Sequence, residues 1–157
     1  MKQNAQTKPI NRNIAKMAIE IYENNKNSND LYEHKNCDNS AIFVVDVLER
    51  VFNTKLNKMR EKADFCPSFF DICDKQIFGD CFVIEKADKI QIGDIVFIGF
   101  NPYGVCEHCG IAVEISSELV TIVEWDTSHI FDVNGGKLMK KIRHKSLVCG
   151  IGRIHKV

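Results

Sequence analysis

The sequence has no excess of charge of either sign. Lys and Arg together number 21, Asp and Glu together also number 21, and the formal net charge is therefore zero at pH 7. Without a global electrostatic field, nothing favours nucleic acid or an anionic membrane as a partner. A partner has to be inferred from a local site instead.

Long apolar runs are lacking as well. No stretch approaches the roughly 20 apolar residues of a membrane span, and the polar, Asn-rich start lacks the apolar core of a signal peptide. We therefore expect synthesis in the cytoplasm without a signal peptide. The 157 residues are 45% hydrophobic and 27% charged, without an internal repeat. This predicts one globular domain over residues 1–157, with residues 1–9 as a loose N-terminal arm.

Cysteine is present in an odd number, seven, in a chain long enough not to require cross-links. That count favours mostly reduced thiols. Cys106 and Cys109 flank His108 with the spacing of half a zinc site, but no second such pair follows. We expect no cofactor and no metal, and a zinc-stabilised interaction module is the weaker alternative.

Two helices are predicted before any strand. Residues 10–22 carry apolar side chains at the three-and-four spacing of an amphipathic helix. In residues 41–52 (AIFVVDVLERVF) apolar side chains cover most of the circumference, which predicts a helix buried on nearly all sides. Residues 55–80 are expected to form short helices. Their aromatic and aliphatic side chains, expected in the core or in a cleft wall, are Phe65, Phe69, Phe70, Ile72, Ile77 and Phe78.

Strands are predicted in the second half of the chain. Runs rich in β-branched and aromatic residues, bounded by turn residues, lie at 95–100, 110–115, 119–125 and 147–154. Because helices come first and strands second, the predicted class is α+β, with N-terminal helices packed on a C-terminal antiparallel sheet.

A nucleophile that attacks an amide carbonyl needs a base, an orienting group for that base and donors for the oxyanion. Ser40 precedes the buried helix, where the positive end of the helix dipole and free N–H groups would activate a nucleophile. His108, at the start of a strand, is the candidate base. Glu124 and Asp126 lie two apart on the next strand and would face that histidine from the same side. Glu124 is the expected orienter and Asp126 a polar supporter.

Four stretches resemble, in the family's order, the papain-like cell-wall hydrolases of NlpC and CHAP type. They are residues 39–44 (NSAIFV), 93–97 (GDIVF), 108–111 (HCGI) and 124–127 (EWDT). Ser40 stands where the family has its catalytic cysteine. In the last stretch Trp125 replaces Gly and Asp126 replaces Asn. Residues 134–136 (NGG) and 149–153 (CGIGR) are similar to the closing turn and strand of phage-type members.

The resemblance implies a papain-like fold and cleavage of amide bonds in peptidoglycan stem peptides through an acyl-enzyme, without a metal. Its catalytic positions fall on Ser40, His108, Glu124 and Asp126. A hydroxyl is a much weaker acid than a thiol, so this form is expected to be inactive or very slow. The protein would act as an amidase or endopeptidase, either a lysin or an interbacterial toxin.

The same resemblance leads to further expectations about partners and place of action. The partners would be stem peptides and, for a toxin, an immunity or inhibitor protein, with no nucleic acid and no membrane insertion. The chain is expected to be a monomer. It would reach the cell wall or periplasm after lysis or by specialised secretion.

Alternatives remain open for several of these residues. Ser40 is also a good helix N-cap, and Cys37 is a competing thiol three residues earlier. The basic run at 137–145 (KLMKKIRHK) is most simply a solvated face, and otherwise a contact for an anionic polymer. A non-catalytic module that binds the cell wall or a protein, on the same fold, is the second functional hypothesis.

Overall fold

The computed structural model describes residues 8–27, 39–63, 82–85, 87–99, 106–126 and 137–154. Its helices are α1 (Lys8–Asn25), α2 (Asn39–Phe52) and the single turn α3 (Asn57–Arg60). Both predicted helices are therefore present and longer than expected, and α1 begins inside the predicted arm. Across these ranges no helix has the length and apolar character needed to cross a membrane. The predicted aromatic cluster at 65–78 lies outside the described residues.

Within the described ranges, the strands form one six-stranded antiparallel sheet with the order β1-β6-β2-β3-β4-β5. The strands are β1 (Phe82–Glu85), β2 (Ile95–Ile98), β3 (His108–Ile115), β4 (Leu119–Asp126), β5 (Lys137–His144) and β6 (Val148–Ile154). The predicted α+β class, helices first and antiparallel sheet second, is confirmed. Strands β1 and β5, the first and last of this order, were not predicted.

Strand β5 was missed because its residues look solvated. Only Leu138 of its eight residues is buried. Lysines on an outermost strand are a common way to discourage pairing with other chains. The basic run at 137–145 is therefore largely a strand and not simply a polar surface segment.

Apolar layers cover both faces of the sheet. The helix-side layer packs α1 and α2 against sheet residues that include Phe97, Ile111 and Trp125. The outer layer, on the opposite face, contains Val96, Ile98, Ala112, Ile122 and Ile151. Successive residues of β2 alternate between the two layers, which explains why its sequence reads as a continuous apolar run.

Gly93 occupies a position that accepts no side chain. Its φ of +90° lies in the left-handed region, and a Cβ there would fall 1.9 Å from the carbonyl oxygen of Asn11 in α1. This close approach of α1 to the start of β2 gives a structural reason for the glycine of the 93–97 motif.

The adjacent Asp94 forms a buried ion pair with Arg153 of β6. Arg153 donates from Nε to Oδ1 at 2.9 Å and from Nη2 to Oδ2 at 2.7 Å. The backbone N–H of Gln91 donates to Oδ2 at 2.7 Å, and Arg153 also donates to the carbonyl of Lys89 at 2.6 Å. A two-pronged pair of this kind is strong and fixes its geometry. It joins the last strand to the turn that begins β2.

Removing Arg153 should leave the Asp94 carboxylate buried without its cation. Arg153→Met is therefore expected to lower the free energy of unfolding by about 3–5 kcal/mol. The matched control is Lys140→Met, which removes the exposed pair between Lys140 and Glu114 and should cost less than about 1 kcal/mol. Urea unfolding at neutral pH measures both. Equal small losses would contradict a structural role for the buried pair.

A second charged network holds the C-terminal half of α2. Arg60 pairs with Asp46 and, at 2.8 Å, with Glu49. Glu49 is mostly buried and also accepts a hydrogen bond from the backbone N–H of Leu56 at 2.8 Å. The hydrogen bond from Arg60 is the main cause that lowers the pKa of Glu49 from 4.5 to about 2.

This lowered pKa predicts how stability depends on pH. A carboxylate with a folded pKa of about 2 stabilises the protein above pH 4.5, and that contribution is lost as the pH falls towards 2. Glu49→Gln should therefore be less stable than the parent at neutral pH, and the difference should shrink steadily below pH 4.5. Urea midpoints over this range measure it, with the exposed Glu20→Gln as control. A difference that does not change with pH would contradict the assignment.

Candidate functional site

Ser40 lies in the first turn of α2, which begins at Asn39, and its side chain is fully buried. The N–H groups of a first helical turn have no partner within the helix, and the dipole is positive there. Ser40 contacts Cys109 of β3, whose Sγ lies 3.8 Å from Ser40 Oγ. The start of α2 therefore meets the start of β3.

His108 and Glu124 meet on the two neighbouring strands. His108 opens β3, Glu124 lies near the end of β4, and Nε2 of the ring is 3.2 Å from Oε1 of the carboxylate. Both side chains are buried. A Cβ on Gly110 would come within 3.0 Å of the Cβ of Glu124. The glycine of the 108–111 motif thus leaves room for the carboxylate beside the histidine.

Arg143 of β5 is a member of this cluster that sequence reasoning missed. Its Nη2 pairs with Oε1 of Glu124, and its Nε lies 3.4 Å from Oε2. Arg143 was missed because it lies in the basic run that was interpreted as a solvated face. Met139 pairs with Glu124 in the β4–β5 register. Side chains of a strand return to the same face every second residue, so Arg143 lies on the face of Met139 and Glu124. A prediction of β5 would therefore have identified Arg143.

Neighbouring residues of β3 contact Ser40 and Glu124. Consecutive residues of a strand point to opposite faces. Cys109 faces α2 in the helix-side layer and touches Ser40. His108 then points to the other face, where it meets Glu124. The structure brings together Ser40 with Cys109, and His108 with Glu124 and Arg143, while the approach of Ser40 Oγ to the imidazole stays a prediction.

The structure describes only part of the two remaining predicted positions, Asp126 and Cys37. Asp126 ends β4, opposite Lys137, and its place two residues after Glu124 puts it on the same strand face. The side chain of Asp126 lies outside the described part of the structure, and so does the competing thiol Cys37.

Two of the cysteines are joined in a disulfide, Cys106–Cys149, with their Cα atoms 6.2 Å apart. The prediction of reduced thiols is wrong for this pair. Strand β2 has β3 and β6 as its neighbours, and Ile98 pairs with both His108 and Val148. The two cysteines therefore meet across the end of β2, which their separation of 43 residues did not suggest.

The disulfide also removes Cys106 from the half zinc site considered above. Among the residues that the structure describes, no three His, Cys, Asp or Glu side chains are grouped so as to hold a metal ion. Cys109 is buried and is not part of a disulfide.

Comparisons with known proteins bear on the fold. No family model and no curated protein matches the sequence. The structure is similar to that of the wild-type endolysin LysIME-EF1, with a TM-score of 0.57 and 17% identity, over 90% of this chain and 64% of that one. A weaker similarity is to Ly7917, solved with the hydrolyzing product of MDP, with a TM-score of 0.36 and 14% identity over 50% of this chain and 33% of that one. The chain thus spans less than two thirds of either protein. The likeness to LysIME-EF1 concerns the fold alone.

Proposed function

We propose that this chain is a papain-like, cysteine-type peptidoglycan hydrolase domain of NlpC or CHAP type. It would cleave amide bonds of stem peptides, as an amidase or endopeptidase, in a lysin or an interbacterial toxin. With serine at position 40 it would be inactive or very slow. The ordered sequence motifs and the fold that the chain shares with an endolysin both support this proposal.

The observation that carries the proposal is the buried pair of His108 and Glu124. The hydrogen-bond partner of one ring nitrogen decides which nitrogen of a neutral imidazole holds the proton. Nε2 lies 3.2 Å from Oε1 of Glu124, within ion-pair distance but outside hydrogen-bond alignment. The proposal is that Nε2 holds the proton beside this carboxylate and that Nδ1 acts as the base towards the nucleophile.

The reaction would begin at residue 40. A thiol there gives its proton to Nδ1 of His108 and attacks the carbonyl carbon of a stem-peptide amide. The oxyanion accepts hydrogen bonds from N–H groups of the first turn of α2. His108 then returns the proton to the leaving amine, and water hydrolyses the acyl-enzyme. Serine is poor in this role because the same surroundings do not ionise a hydroxyl near neutral pH.

A productive site requires the imidazole to approach residue 40. His108 is the first residue of β3, next to Cys109, which touches Ser40. Catalytic hydrogen bonds are often long in uncomplexed enzymes and tighten when substrate binds.

A non-catalytic binding module on the same fold is the second candidate. It is favoured by the buried contact of the Ser40 hydroxyl with the Cys109 thiol. Such a module would bind peptidoglycan or a protein and would not need residue 40 as a nucleophile.

The decisive variant is Ser40→Cys. Because the start of α2 and His108 together stabilise a thiolate, the variant should cleave purified peptidoglycan at least about a hundredfold faster than the parent. Product masses identify the bond, and thiol alkylation should abolish the gain. Since the new thiol faces Cys109, Ser40→Cys combined with Cys109→Ala guards against an unwanted disulfide between them.

Controls for this gain use the other predicted residues. In the Ser40→Cys background, His108→Ala should abolish activity, and Glu124→Gln should reduce it far more than Asp126→Asn. A larger loss at Asp126 would mean that the two acidic residues have exchanged roles. Ser40→Cys variants that stay silent on several wall types, while remaining folded, would favour the binding module.

A further inference from the structure

Glu124 is a fully buried carboxylate on the outer face of the sheet. A buried charge is tolerated only when it is paired and hydrogen-bonded. Arg143 meets both of its oxygens, and Nε2 of His108 lies 3.2 Å from Oε1 without hydrogen-bond alignment. The cation that Glu124 needs for its own burial is therefore Arg143, because a guanidinium is always charged and this one contacts both carboxylate oxygens.

Arg143 reaches Glu124 along the sheet. In the β4–β5 register Arg143 lies opposite Val120, while Glu124 lies opposite Met139. The arginine side chain must extend along the strand direction to place its guanidinium on the carboxylate. A planar guanidinium that contacts both oxygens restricts the rotation of the carboxylate, which a point charge such as ammonium does not do.

We propose that Arg143 is a positioning residue, which fixes the Glu124 carboxylate so that Oε1 faces Nε2 of His108 and holds the ring with its proton on that nitrogen. In this role Arg143 acts on His108 through Glu124. Its importance for catalysis rests on the proposed function, whereas its effect on the imidazole does not.

The first test needs no activity and uses the chain as it is, with Ser40. Nitrogen-15 NMR of the His108 ring reports the Nε2–H proton and its exchange with water. In Arg143→Gln that exchange should become about tenfold faster or more, because the carboxylate is no longer held against the ring. Arg143→Lys keeps the positive charge but not the planar guanidinium that contacts both oxygens. Its exchange rate should lie between those of the parent and Arg143→Gln.

The matched control is Lys140→Gln on the same strand. It removes a cation whose partner, Glu114, is exposed and distant from the cluster in register, and it should leave the His108 signal unchanged. If Arg143→Gln does not fold, the exchange rate is measured on Arg143→Lys instead. An exchange rate equal to that of the parent in the folded Arg143 variant would overturn the proposal.

A second arm measures turnover on soluble peptidoglycan fragments in the Ser40→Cys background. Arg143→Gln should lower kcat by about tenfold to a hundredfold with little change in KM, and Arg143→Lys should recover part of the loss. An unchanged kcat would overturn the role in catalysis. If Ser40→Cys is inactive but the NMR effect is present, the proposed function fails while the positioning of His108 by Arg143 stands.

Discussion

A buried carboxylate keeps its charge only if cations lie within contact distance, and this constraint acts twice on the outer face of the sheet. Asp94 is paired with Arg153, which joins the start of β2 to the final strand. Glu124 is paired with Arg143 and contacts His108, which joins β3, β4 and β5. Among the described residues, these two clusters hold the buried charged side chains on this face of the sheet. The position of Glu124 determines where the imidazole of His108, the candidate base, lies.

The alternation of side chains along β3 divides the candidate site between two faces. Cys109 belongs to the helix-side layer and meets the start of α2, while His108 belongs with Glu124. An enzyme of the proposed type needs the histidine and residue 40 side by side at this strand end. The binding-module alternative needs only the present arrangement. The distinction between the two functions thus depends on the orientation of one ring.

Periodic patterns carried most of the sequence prediction. The apolar circumference of α2 and the β-branched runs of β2, β3 and β4 predicted those elements and the α+β class, because burial alone explains them. Strand β5 was not predictable in this way, since solvated charges occupy most of it. Arg143 was missed for the same reason. The Cys106–Cys149 disulfide depends on both β3 and β6 pairing with β2, which no local pattern contains.

An enzyme of the proposed type needs His108 as the general base for residue 40. A crystal structure of the Ser40→Cys variant, modified at position 40 by a peptide electrophile, tests it most directly. In a working nucleophile and base pair, Nδ1 of His108 should lie within roughly 4 Å of the sulfur, with Nε2 still beside Glu124. An imidazole that remains on the outer face, with Cys109 alone against the modified residue, would contradict it.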